Sequence, residues 1–242
     1  MTSYVFEPAA IPTVAVAGET ARFPVRRIFC VGRNYAAHAR EMGKDPEREP
    51  PFFFTKPADT VMDDGATVPY PPETKDFHYE IELVVAIGRD GFAVNRNEAL
   101  DLVFGYAVGI DLTRRDLQLE ARDKGRPWDW GKAFDYSAPI APLHPIKRSG
   151  HLTKGRIWLA VNDVVKQDAD LAELIWPVAD IISIASQSML LKAGDLIMTG
   201  TPAGVGPIGT GDTVKGGIEG LGTIMVKIGD RGEMHQGTRP TI

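Results

Sequence analysis

Apolar positions along this chain recur mostly with a period of two. In "FHYEIELVVAIG" (77–88), Tyr79, Ile81, Leu83, Val85 and Ile87 alternate with Glu80, Glu82, Val84 and Ala86. Successive strand residues point to opposite faces, so this spacing predicts a strand with one wholly apolar side. Its second side begins acidic and turns apolar. Further strands are predicted at "IFCVG" (28–32), at "PFFFTKP" (51–57) between prolines, and from about Gly105 to Asp111. "RIWLAVNDVVKQ" reads as a β-hairpin turning at Asn162-Asp163, and "DLIM" and "GIEGLGTIMVKIGD" as closing strands around a glycine loop.

A helical period occurs in three places. "RNYAAHAREMG" predicts a helix with Asn34 as its N-cap and Gly43 at its end. "TRRDLQLEARDKG" predicts a second, closed by Gly125. In "WPVADIISIASQSMLLKAGD", Pro177 suits the first turn, Gly194 follows the end, and Ile181, Ile184, Ala185 and Ser188 or Met189 share a side. Strands outnumber helices and are not separated by regular crossovers. The expected fold is therefore α+β, mostly β, with a few packed helices, and not a doubly wound sheet. Residues 1–25 read as an extended arm or small strand pair ahead of a main domain over 26–242.

Composition changes this picture only at the margins. The 242 residues, 43% hydrophobic and 24% charged, suffice for a substantial core. A net charge of −5 gives no electrostatic reason to expect nucleic acid. Cys30 is the one cysteine, which excludes an intrachain disulfide framework and fits a reducing compartment. The start lacks the basic residues of a signal peptide and no apolar run is long enough to span a bilayer, so the expected setting is cytoplasmic, without a membrane.

The acids on the strand carry the chemistry. Glu80 and Glu82 leave one face about 7 Å apart at two strand rises, and Asp111 ends the later strand. Each by itself reads as an exposed strand-end residue. Together in a dry setting they would repel and force one to protonate unless a cation joined them. Oxygen ligands suit Mg²⁺, Mn²⁺ or Ca²⁺. His38 and Glu41, three apart on the predicted helix, form either a surface pair or a base able to take a proton from water. The loop "TGTPAGVG" lacks the GK[ST] ending of a phosphate loop. It is either a flexible turn or a pocket wall in which the Gly200 N–H and Thr201 grip a carboxylate or oxo group. Lys132 and Gln118 are polar side chains that can reach the same place.

Taken in order, "CVGRNYAAHAREMG", "PFFFTKPAD", "HYEIELVVAIG", "GYAVGIDLTRRDLQ", "GKAFD" and "LIMTGTPAGVGP" resemble the fumarylacetoacetate hydrolase family. The match runs from about Ile28 to the final strands and looks most like the short branch of acylpyruvate and fumarylpyruvate hydrolases. The resemblance implies a β-rich sandwich or roll assembled as a homodimer. It implies one Mg²⁺ or Mn²⁺ per chain on Glu80, Glu82 and Asp111, and a water-activating dyad of His38 and Glu41 in a lid segment. It places Lys132 and Gln118 at polar substrate-contacting positions and Thr201 at the threonine of the terminal loop. The implied activity is hydrolysis of the carbon–carbon bond of an acylpyruvate, above all fumarylpyruvate from gentisate in aromatic catabolism. The alternatives are an oxaloacetate decarboxylase or an oxo-diacid isomerase or hydratase on the same site. A second carboxylate on the substrate would need a cation, for which Arg33, Arg114 and Arg122 are candidates. A non-catalytic protein with a structural metal is the rival from another class; it would close the metal's shell against substrate.

Overall fold

The computed structural model of the chain describes residues 3–41 and 50–231, the side chains of 39–41 excepted. Two short antiparallel strands, β1 (Thr13–Ala15) and β2 (Arg22–Pro24), come first. Strand β3 (Arg27–Gly32) leads to helix α1 (Ala36–Glu41), and β4 (Phe52–Lys56) returns antiparallel to β3. Short strands β5 (Val61–Asp63) and β6 (Thr67–Pro69) precede β7 (Phe77–Tyr79) and β8 (Ile81–Ile87). Next are β9 (Val103–Ile110), β10 (Thr113–Arg114), and helices α2 (Arg115–Asp123) and α3 (Asp129–Lys132). Beyond β11 (Ala138–Ile140), β12 (His144–Pro145) and α4 (Ile146–Ser149) lies the hairpin of β13 (Arg156–Val161) and β14 (Val164–Asp170). Helix α5 (Val178–Ser188), β15 (Asp195–Met198), β16 (Gly206–Pro207), β17 (Thr213–Ile218) and β18 (Gly222–Gly229) complete the chain's regular structure.

The strands build a mostly β sandwich. The larger sheet runs β4-β3-β15-β8-β9-β11-β5, with β12 also paired to β9, and a five-stranded sheet runs β14-β13-β17-β18-β6. Ile81, Leu83, Val85 and Ile87 of β8 join Leu159, Val214 and Ile224 of the second sheet in one buried cluster. Burying such an aliphatic side chain is worth roughly 1.5–3 kcal/mol. The sheets touch closely where Gly216 faces β8, since a Cβ there would stand 2.5 Å from Ile81 Cδ1. On the other side of β8, Val84 and Ala86 pack with Cys30, Leu196 and Met198, and Val14 and Phe23 join them from β1 and β2. Strand β8 is thus dry on both faces and fixed at every residue.

One predicted strand proves to be two. The run from Phe77 is interrupted at Glu80, because β7 belongs to a separate sheet of order β10-β7-β16. Strands β7 and β8 pair in succession with β10 and β9, with Thr113 opposite His78 and Ile110 opposite Ile81. Both chains therefore change sheets at one level, as strands do at sandwich corners. The Asp111 N–H donates to the Glu80 carbonyl at 2.8 Å across that corner. Tertiary pairing, not a turn signal, makes the break.

Other expectations fare variously. The hairpin turns at Asn162 and Asp163, both at positive φ, and Gly125 follows α2 at φ 63°. Helix α1 begins at Ala36, so Tyr35 and not Asn34 is the residue immediately before it. Asn34 Nδ2 donates to the carbonyls of Trp176 (2.9 Å) and Thr199 (2.8 Å), and its Oδ1 accepts from Trp176 N–H (2.7 Å). These bonds tie the segment before α1 to the segments around Trp176 and Thr199. Helix α5 buries Val178, Ile181, Ile182, Ala185 and Ser186, so its inner face is rotated from the Ile184 and Ser188 side that periodicity suggested. Ser186 faces inward because its hydroxyl donates to the Ser183 carbonyl and accepts from Val94 N–H. Gly43 lies outside the described residues. No helix among the described residues is long and apolar enough to cross a membrane.

Candidate metal centre and pocket

The sheet corner gathers the acids. Glu80 sits in the break between β7 and β8, Glu82 is the second residue of β8, and Asp111 follows β9. All three are buried, and each offers a carboxylate oxygen within 4.8 Å of the others. Three buried bases surround them. Lys132 Nζ donates to Glu80 Oε2 (2.8 Å), Asp111 Oδ2 (2.7 Å) and Thr113 Oγ1 (2.7 Å). Lys56 Nζ lies 2.8 Å from Asp111 Oδ1 and donates to the carbonyls of Leu112 and Lys132. Arg115 donates to Glu80 Oε1 and to Gln118 Oε1.

These contacts leave the acids unequal. Burial would raise the Glu80 pKa, but Lys132, Arg115 and His38 together hold it below the usual carboxylate range. Glu82 has the opposite fate. Burial, and then the charges of Asp111 and Glu80, push its carboxyl well above the usual value, against Lys132 and a 2.7 Å hydrogen bond from the Gly200 N–H. Burial also opposes the Lys132 charge, yet Asp111 and Glu80 keep that ammonium above the ordinary lysine value.

Asp111 Oδ1 is the telling atom. It is buried and has the charge of Lys56 beside it at 2.8 Å, but the ammonium is not aligned to donate to it, so the oxygen has no hydrogen bond. A native buried oxygen without a donor calls for an explanation. A hard divalent cation supplies one, because it satisfies that lone pair and relieves Glu82 of the repulsion that favours its proton. The donor set is all oxygen, which suits Mg²⁺ or Mn²⁺. The residues present fit such an ion.

The cluster opens into a pocket lined by Arg33, His38, Glu80, Glu82, Arg115, Gln118, Arg122, Lys132 and Thr201, with Phe54 and Trp128 as apolar walls. His38 is 6% exposed. Glu41 ends α1, and its side chain lies outside the described residues. Gln118 comes close to Lys132 because Gly131 of α3 packs on its backbone, where a Cβ would stand 2.8 Å away. Arg33 adopts φ 58°, uncommon for a side chain this large, and its guanidinium lies over the Phe52 ring at 5.3 Å from the centroid. Of the three arginines considered for a distal carboxylate, Arg33 and Arg122 line the pocket. Arg114 instead stacks on Phe134 at 4.4 Å, because it leaves the strand on the side away from the acids.

Sequence reasoning missed Lys56, Arg115 and Gln167. Lys56 had a signal, as a lysine closing an aromatic strand, and Arg115 stands three residues before Gln118 on one helix. Gln167, in an otherwise ordinary hairpin strand, had none.

The sequence of residues 27–228 matches the family described as Fumarylacetoacetate (FAA) hydrolase C-terminal. The chain belongs to the fumarylacetoacetate hydrolase family. Among relatives in this family, the fumarylpyruvate hydrolase of Ralstonia sp is 46% identical over 185 residues, 76% of this chain and 96% of the relative. The crystal structure of fumarylpyruvate hydrolase from Pseudomonas aeruginosa in complex with Mn²⁺ and pyruvate has a TM-score of 0.93 and 50% identity, covering 95% of this chain and all 100% of that one. The mitochondrial oxaloacetate decarboxylase of Dictyostelium discoideum is 40% identical over 201 residues, 83% of this chain and 92% of the relative.

Proposed function

We propose that this family member hydrolyses the carbon–carbon bond of acylpyruvates, with fumarylpyruvate as the preferred substrate and fumarate and pyruvate as products. The observation that carries the reading is the trio of buried carboxylates, one oxygen lacking a hydrogen bond, at the floor of a pocket shared with His38. Likeness to a fumarylpyruvate hydrolase with Mn²⁺ and pyruvate supports it. When bound by Glu80, Glu82 and Asp111, Mg²⁺ or Mn²⁺ supplies Lewis-acid stabilisation of the negative charge that develops on a 2-oxo acid.

The chain's own groups do the rest. His38, with Glu41 as its partner, takes a proton from water, which then attacks the carbonyl distal to the pyruvate carboxylate. The bond between that carbonyl carbon and the pyruvate methylene breaks, and the pyruvate half leaves as its enolate before taking up a proton. Lys132 has all three protons engaged, so it acts on the developing oxyanion by exchanging one of those bonds for the substrate oxygen. Gln118 accepts from Arg115 through Oε1 and so turns its NH₂ donors to the pocket. The Gly200 N–H is spent on Glu82, which leaves Thr201 to hold substrate at that loop. Arg33 and Arg122 are the cations for a second carboxylate on the acyl end. Assembly as a homodimer belongs to the same proposal and is read by sedimentation equilibrium.

A second reading, oxaloacetate decarboxylation, rests on the Dictyostelium discoideum relative. It shares the stabilised enolate but needs no water attack on a carbonyl. Loss of diketone absorbance with fumarylpyruvate, acetylpyruvate and fumarylacetoacetate, run beside oxaloacetate decarboxylation, separates the two. Oxaloacetate turnover equal to that of fumarylpyruvate would favour the second.

A further inference from the structure

Gln167 reaches from the second sheet into the loop and strand that form the centre. It is wholly buried in β14, and each of its amide groups is used. Its Oε1 accepts the Ile81 N–H at 3.0 Å. Its Nε2 donates to Thr201 Oγ1 at 2.8 Å and to the Pro202 carbonyl at 2.7 Å. The amide's orientation follows from chemistry, since the Ile81 N–H must meet an acceptor and the Pro202 carbonyl a donor. Ile81 is the one residue between Glu80 and Glu82. A single side chain therefore pins both the peptide between two carboxylates and a hydroxyl that lines the same pocket.

The neighbouring backbone is arranged to bring Gln167 there. Gly204 lies over β14, where a Cβ would stand 2.1 Å from the Lys166 carbonyl, and its φ of 94° suits only glycine. The Tyr79 hydroxyl donates to the Gly204 carbonyl at 3.1 Å, and Asn34 holds the Thr199 carbonyl at 2.8 Å. The segment from Thr199 to Gly204 is thus tied down on both sides of Thr201.

We propose that Gln167 is a positioning residue that makes the Thr201 hydroxyl a hydrogen-bond donor toward an anionic ligand oxygen. A threonine hydroxyl has one proton. With its oxygen already accepting from Gln167, and with no acceptor for its proton among the described residues, that proton is left for the pocket, which Thr201 lines. The site so formed prefers a carboxylate or enolate oxygen, which accepts, over a hydroxyl or amide nitrogen, which must donate. The inference deepens the proposed function and rests on it.

The test uses full-length protein loaded with Mn²⁺ and titrated with oxalate, a planar dianion resembling the enolate of pyruvate. Gln167→Glu puts an acceptor where Thr201 needs a donor and should raise the oxalate Kd about tenfold, a loss of about 1.4 kcal/mol. The Mn²⁺ Kd should stay within about twofold. Thr201→Val should cost a similar factor, and Gln167→Glu in the Thr201→Val background should add less than about twofold, because both act through one hydrogen bond. If the acidic variant does not fold, Thr201→Ser, which keeps the hydroxyl and its Gln167 donor, should hold the oxalate Kd within about twofold of wild type where Thr201→Val loses it. Unchanged oxalate affinity in Gln167→Glu overturns the inference, as do multiplicative losses in the double variant or a parallel loss of Mn²⁺ affinity. Wild-type protein that binds no oxalate with Mn²⁺ present overturns both this inference and the proposed function.

Discussion

Glu82→Gln separates the cost of gathering three acids from the use made of them. The substitution keeps the shape of the side chain and an oxygen for the Gly200 N–H at 2.7 Å, but removes the charge. Oxygens of the trio lie within 4.8 Å of one another, so each ionised pair repels by about 3.5 kcal/mol at an effective dielectric of ~20. Since one pH unit corresponds to about 1.4 kcal/mol, this repulsion and burial together exceed what Lys132 returns to Glu82. The Glu82 carboxyl in the metal-free fold therefore keeps its proton well above its ordinary 4.5.

The linkage then has a definite sign. Above about 4.5 the unfolded chain has lost this proton and the folded chain has not, so the Glu82 contribution is fully present below that pH. It falls by about 1.4 kcal/mol per pH unit until the folded carboxyl ionises. Urea unfolding of metal-free protein at a series of pH values rising from about 5 should show this fall in wild type and not in Glu82→Gln. Adding Mn²⁺ should reverse the order. The variant should bind Mn²⁺ at least ~100-fold more weakly, or about 2.7 kcal/mol, since even outer-shell partners of a metal cost 10–100-fold. Identical pH slopes for the two metal-free proteins, or Mn²⁺ affinity retained within threefold, would refute the reasoning.

His38→Ala should lower hydrolysis by at least ~100-fold, the lower range for a general base, while calorimetry shows Mn²⁺ binding unchanged. Retained turnover would remove His38 from the mechanism. Arg33→Ala should raise KM for fumarylpyruvate at least ~10-fold and for acetylpyruvate by less than twofold, since only the former carries a distal carboxylate for that guanidinium. Equal effects would show that Arg33 only supports Phe52. Lys56→Met should destabilise the metal-free protein by about 3–5 kcal/mol in urea unfolding, because it strips a buried partner from Asp111. Saturating Mn²⁺ should recover part of that loss.

Local alternation carried a large share of this architecture. It separated Ile81, Leu83, Val85 and Ile87 from Val84 and Ala86, and these sets occupy two different buried clusters. It also placed Glu80 and Glu82 on the side of the sheet that receives Asp111. What it missed acts over long chain separations. Lys56 meets the Leu112 carbonyl 56 residues away, Gln167 meets Ile81 86 residues away, and Asn34 meets Thr199 across 165. Periodicity describes a residue's own element and says nothing of such partners. The break at Glu80 has the same origin, because it depends on β10 and β16 pairing with β7. Asn34 shows the competition directly. Its local sequence suits a helix cap, yet the side chain bonds three backbone groups of Trp176 and Thr199, far along the chain.

The central claim is that the carboxylate trio and His38 together cleave an acylpyruvate. Coupling pyruvate release to lactate dehydrogenase, while following the diketone band of fumarylpyruvate, measures it most directly. One pyruvate should form for each diketone lost, activity should vanish with EDTA and return with Mn²⁺ or Mg²⁺, and oxaloacetate should decarboxylate at least ~10-fold more slowly. Diketone loss without pyruvate, or turnover that survives complete metal removal, would contradict the account.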